Sequence, residues 1–105
     1  MDVFVTGLGV VSALGMGVES NFEALKSKQT GIKPNTLLSH LFEETRVGEL
    51  ALTNQQLKDE LGIPSENSVP RTALLGIIAA REALGNTSLN SGLRTGFING
   101  STVGM

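Results

Sequence analysis

The chain has 105 residues, 40% of them hydrophobic and 17% charged, with four Phe and neither Trp nor Tyr. This length suits one compact domain that buries roughly two-thirds of its unfolded surface, and the composition is that of a folded chain. Ten acids against eight scattered bases give a net charge of −2, so there is no basic stripe for nucleic acid, and the absence of cysteine excludes disulfides, thiolate metal sites and a cysteine nucleophile within these residues.

The first element is "VFVTGLGVV", a β-branched run flanked by glycine, which predicts a strand buried on both faces of a parallel or mixed sheet under helices. A secretory leader is not expected, because Met1-Asp2 supplies no positive start and glycines sit throughout the run, and the uncharged stretch from Val3 to Val18 is shorter than the roughly 20 residues of a membrane span. A cytoplasmic protein without a membrane span is expected. "ESNFEALKSKQTG" predicts a short helix: Ser20 and Glu23 have capping-box spacing, Phe22 and Leu25 share a face, and Gly31 is the expected stop. From Ile32 no period is sustained until Val47, Leu50 and Leu52, which predicts a loop followed by an extended segment. "TNQQLKDELGIP" predicts a surface helix, opened by a Thr53–Gln56 capping box, striped by Leu57 and Leu61, and ended by Gly62 and Pro64.

The strongest helix is expected in "SVPRTALLGIIAAREALG", with Ser68 as cap and Pro70 in or near the first turn. From Ala73 to Leu84 only Arg81 and Glu82 are charged, and an apolar surface spread so widely around a helix asks for burial nearly all round. "LRTGFINGSTVGM" then predicts a second strand over Thr95–Asn99 running into a Gly/Ser/Thr turn. Strand, helix and strand suggest a βαβ-like layered α/β arrangement. Two hydrophobic strands and a widely apolar helix need more cover than 105 residues supply, so the chain is expected to be the beginning of a larger domain and, alone, to self-associate.

No residue set carries a reaction by its pattern. Gly7-Leu8-Gly9-Val10-Val11-Ser12 begins like the dinucleotide fingerprint but has Ser12 in the third small position and Lys26 to Gln29 where the ribose-binding acid belongs. Its glycines are read instead as allowing close backbone approach. His40 with Glu43 and Glu44 lacks metal-ligand spacing, and Ser12, Ser101 and Thr102 have no histidine placed to activate them. Arg71 and Arg81 are single helix arginines that could meet an acidic partner.

Val3–Gly15, "VFVTGLGVVSALG", resembles the opening strand of the β-ketoacyl-[acyl-carrier-protein] synthases, whose pattern is V-V-V-T-G-L-G-V-V-S-P-L-G. Further similarity follows in order at Phe22 and Leu25, at Thr30-Gly31-Ile32, at the A-x-x-A-L of Ala80, Ala83 and Leu84, and at the R-x-G-x-x-x-G-S of Arg94 to Ser101. Ala13 stands in place of the usual proline, and the terminal Gly100 to Met105 lacks glycines of the family's G-S-G-I-G-G.

The resemblance implies the N-terminal portion of a thiolase-like α/β half, in the order β-α-(extended)-α-α-β over residues 1–105. It further implies a homo-oligomeric acyltransferase of fatty-acid or related biosynthesis that uses no cofactor and takes acyl carrier protein as partner. Arg71 is the one base left in the usually basic segment before the long helix, and hence the candidate carrier contact. The family's catalytic cysteine and two histidines have no counterpart here, so no catalytic, cofactor-binding or metal-binding residue is assigned and the chain alone is expected to be inactive. A stand-alone nucleotide- or ligand-binding module and a non-catalytic chain-length-type subunit are the alternatives.

Overall fold

A computed structural model of the chain describes residues 1–37 and 44–102. Its elements run β1 (Val11–Ser12), β2 (Gly15–Met16), α1 (Val18–Lys26), β3 (Ile32–Pro34), β4 (Arg46–Gly48), α2 (Asn54–Leu61) and α3 (Arg71–Leu84). It is thus a mixed α/β chain, with both sheets two-stranded and antiparallel: β1 pairs with β2, and β3 with β4.

The two long strands expected from hydrophobicity are not among these elements. Of the first run only Val11 is in a ladder, at the start of β1, while Val3, Phe4 and Val5 are exposed, as are Phe97 and Ile98 in the second run. The βαβ-like expectation is corrected accordingly. β-propensity measures fit to a pleated, half-buried surface, and it makes a strand only where a neighbouring strand completes the ladder. Among the described residues neither residues 3–10 nor residues 95–99 have such a neighbour.

α2 forms as its local signals dictate. The Thr53 hydroxyl accepts from the Gln56 N–H at 3.2 Å, the Gln56 side chain accepts from the Thr53 N–H at 2.8 Å, and Gly62 closes the helix in the left-handed region at φ 70°. α3 begins at Arg71 after Pro70, which holds the N-cap position in extended geometry, so the expected Ser68 cap is not used. Leu57 of α2 and Leu74 of α3 are fully buried against each other's helix, with Ile78 beside them. Around this centre lie Val11, Met16, Leu52, Leu61 and Leu75, half-buried. The core is narrow, however. Ile77 and Leu84 on other faces of α3 are about half exposed, against the expectation of burial nearly all round.

α1 departs from its sequence signals at both ends. It starts at Val18 rather than near Ser20, with Gly17 as N-cap at φ 100° and no side chain of its own acting as cap. It stops at Lys26, well before Gly31, because Lys28 takes the left-handed conformation at φ 56° and the Gln29 N–H reaches back to the Ala24 carbonyl at 2.9 Å.

The radius of gyration is 16.2 Å, against about 13 Å for a compact chain of this length. The accessible surface is 8508 Å², whereas a compact chain of 11.0 kDa would expose about 5,600 Å². The surplus is therefore on the order of 2,900 Å², and the exposed terminal runs contribute to it.

Candidate functional site

Three places bring polar groups together. The first is the glycine-rich opening. A Cβ on Gly9 would lie 1.8 Å from the Ala79 carbonyl oxygen, and one on Gly7 would lie 1.9 Å from that of Ala83. Only glycine permits this approach, so the reading of these glycines as packing residues is borne out. Gly31 meets Ala13 in the same way, its Cβ position lying 2.7 Å from the Ala13 Cβ.

Beside this contact, Glu82 of α3 reaches the turn between the opening run and α1. Its Oε1 accepts from the Val10 N–H and its Oε2 from the Val18 N–H, each at 2.9 Å. The carboxylate thus stands at the N-terminus of α1, where the amides and the helix dipole favour negative charge. These two bonds, Val18 first, hold the Glu82 carboxyl below its ordinary range. In a dinucleotide site that position belongs to the pyrophosphate. Here an internal carboxylate fills it, and the glycines face carbonyl oxygens, which repel an anion.

Ser12 is bound into the same turn. Its hydroxyl donates to Asn21 Oδ1 and accepts from the Leu14 N–H at 3.1 Å, while the Asn21 amide donates to the Gly15 and Gly17 carbonyls at 3.0 and 2.8 Å. Asn21, the buried polar residue of α1, ties the β1–β2 hairpin to the helix start. Ser12 therefore serves the hairpin and has no base beside it for nucleophilic work.

The second place is a cleft of about 640 Å³ whose lining includes Glu49, Leu50, Thr53, Asn54, Arg71 and Leu75. Arg71 does not project from it. Its Nη1 donates to the Leu52 carbonyl at 2.8 Å and to Asn54 Oδ1 at 2.9 Å, and its Nη2 donates to the Leu50 carbonyl at 2.8 Å. The guanidinium thereby fastens the chain before α2 to the start of α3, a use of its planar fork that lysine could not copy. Glu49 Oε1 accepts from the Thr36 hydroxyl and N–H, both at 2.6 Å, and from the Leu37 N–H at 3.3 Å, while its Oε2 is buried with no partner among the described residues. The Thr36 hydroxyl above all, then the Thr36 and Leu37 amides and the Arg71 charge, lower its pKa. An ionised carboxylate and an occupied guanidinium on partly apolar walls can bind, but they supply no nucleophile.

The third is a shallow groove beside Met16, Ile78 and Glu82, where Arg81 Nη2 donates to the Glu60 carbonyl at 3.2 Å and lies 3.6 Å from its carboxylate. This exposed pair is an ordinary surface contact between α2 and α3. His40 and Glu43 lie outside the described residues. Glu44 is exposed, Ser101 and Thr102 belong to no regular element, and among the described residues no group of three or more His, Cys, Asp or Glu could hold a metal ion. No helix among them is long and apolar enough to cross a membrane. Sequence reasoning missed Glu82 and Glu49, whose partners lie far away along the chain; the local signal at Glu82 was an acid in a stretch, Ala73 to Leu84, whose one other charge is Arg81.

No protein-family model matches the chain, and comparison with the curated proteins and with the solved structures finds no significant match to either.

Proposed function

We propose that the chain is an N-terminal portion of a thiolase-like condensing enzyme of the β-ketoacyl-[acyl-carrier-protein] synthase type, supplying scaffold and no catalytic group. The supporting observation is spatial. The segments that carry the family pattern lie far apart in sequence, yet Gly7 and Gly9 meet the backbone of α3 at Ala79 and Ala83, and Gly31 meets Ala13. In this reading the glycines of T-G-L-G and of T-G-I occur because another backbone or side chain passes where their Cβ atoms would be. The chemistry of such an enzyme, acyl transfer to a cysteine followed by decarboxylative condensation, would reside in residues that this chain does not contain. Contact with a carrier protein through Arg71 would use only the guanidinium hydrogens left over from its three internal bonds.

The experiment has two arms. Expression of the gene together with the sequence that follows codon 105 should give a protein that gains the mass of an acyl group from acyl carrier protein, on a cysteine, and condenses it with malonyl carrier protein. The 105-residue chain should do neither. A reading frame that closes at codon 105, with no acyl-transfer protein bound to the chain in its own cells, overturns the proposal. Thermal shifts with NAD, NADP, ATP and acyl-CoA test the binding-module alternative, since a specific ligand in excess raises the melting temperature. The carboxylate at the start of α1 argues against the two dinucleotides.

A further inference from the structure

The sequence predicts Thr95–Asn99 as a strand, and a ladder would tie up its amides. In the structure residues 94–100 belong to no regular element, Phe97 and Ile98 are 85% and 98% exposed, and Asn99 and Gly100 are exposed as well. Neither Asn99 nor Gly100 makes a hydrogen bond among the described residues. A Cβ on Gly100 would have nothing within 4 Å, so the backbone there has room to turn. Asn99 is also the only asparagine of the chain that is followed by glycine. Together these are the conditions for an attack of the Gly100 amide nitrogen on the Asn99 side chain. The nitrogen must be unbonded to give up its proton, and no Cβ on the following residue may crowd its approach to Cγ.

We propose that Asn99–Gly100 is a self-modification site, at which Asn99 converts to aspartate and isoaspartate without an enzyme. The Gly100 nitrogen forms a bond to Asn99 Cγ, the Cγ–Nδ2 bond breaks, and ammonia departs with the proton that the Gly100 nitrogen has lost. Water then opens the cyclic imide. Attack at Cγ leaves aspartate, whereas attack at the Asn99 main-chain carbonyl carbon leaves isoaspartate, with Cβ and Cγ now in the main chain. One water enters and one ammonia leaves, so no oxidant or reductant is needed. The other asparagines are held or crowded. The amide following Asn35 donates to Glu49 and the amide following Asn86 donates to the Leu84 carbonyl, so neither nitrogen is free. Asn21 is buried with its amide bound to the Gly15 and Gly17 carbonyls, while the side-chain oxygens of Asn54 and Asn90 accept from Arg71 and from the Gly92 N–H. Asn67 is exposed but is followed by Ser68, whose Cβ obstructs the attack. Conversion at Asn99 adds a negative charge to a chain of net charge −2. Isoaspartate also lengthens the main chain, which breaks the alternation of faces that a strand through position 99 would need. A run left unpaired is thus marked by age, whereas pairing of the Gly100 amide would preserve it. This inference concerns the 105-residue chain itself and does not depend on the family reading.

The folded 105-residue chain, kept at neutral pH and physiological temperature and sampled by peptide mass spectrometry, should gain about 1 Da in the peptide that holds Asn99. That peptide should resolve into an aspartate and an isoaspartate form, and Asn67 should stay intact over the same period as an internal control. A peptide of residues 97–101, blocked at both ends, sets the rate of an unrestrained segment, and the folded chain should match it within about threefold, a barrier difference under about 1 kcal/mol. The rate should rise with pH, because the attacking nitrogen must lose its proton. Gly100→Ala, at an exposed position with open space around it, should slow the reaction about tenfold or more with the circular dichroism unchanged. A folded chain slower than the peptide by more than that threefold margin, equal loss at Asn67 and Asn99, or a product of aspartate alone would each overturn the proposal.

Discussion

Alanine substitutions at two glycines should move stability in opposite directions, and the difference measures whether the opening run is docked on α3. At Gly9 the new methyl would sit 1.8 Å from the Ala79 carbonyl oxygen and 2.7 Å from its carbon. Ordinary contact is about 3.5 Å, so the run must retreat by about 1.7 Å. Overpacking of this kind costs about 1–3 kcal/mol, offset by about 0.4–1 kcal/mol from the smaller entropy of the unfolded chain. The expected loss is about 1–2 kcal/mol, or about 5–10 °C in melting temperature for a chain of this size. Gly76, inside α3, has nothing within 4 Å of its Cβ position, so Gly76→Ala should gain about 0.5–1 kcal/mol from helix propensity alone. Urea melts followed by far-ultraviolet circular dichroism, at a concentration low enough to keep the chain monomeric, give both values. If Gly9→Ala matched the wild type while Gly76→Ala was stabilised, the close approach of the run to α3 would be refuted.

Glu82 should make stability depend on acid. Its folded pKa lies below the ordinary 4.5, so its contribution is complete above that value and disappears as pH falls through the folded one. The stability gap between wild type and Glu82→Gln should therefore be widest at neutral pH and close in acid, and a gap constant from neutral pH to about pH 3 would contradict the assignment. Lys28 holds a left-handed conformation at φ 56°, so Lys28→Gly should stabilise the end of α1 by about 1 kcal/mol, read as a rise in urea midpoint with unchanged slope.

What could be read from the sequence was what is decided locally. The Thr53–Gln56 box and Gly62 define α2 within a dozen residues, and Pro70 marks the entrance to α3, so both helices stand where their residues put them. The tight approach of Gly7 and Gly9 to another backbone was legible as well, although the partner was not. The terminal runs failed as strands because a strand is a relation between segments, and hydrophobicity reports one segment only. The start of α1 was misread for a similar reason. Ser20 has the spacing of a cap, but the group that satisfies the amide of Val18 comes from α3. At the candidate cleft, Arg71 was noticed as a lone base, while its binding to the carbonyls of Leu50 and Leu52 depends on how the chain folds back.

The reach of Glu82 also orders events in time. Val18 and Glu82 are 64 residues apart, so α1 must be synthesised long before its cap exists. At about 5–20 residues per second, some 3–13 s pass on the ribosome before Glu82 is even polymerised. A nine-residue helix is too short to persist alone in water, so during that interval α1 can only flicker. Its lasting formation therefore coincides with the docking of α3, which makes α3 the pacemaker of folding for the N-terminal part of the chain.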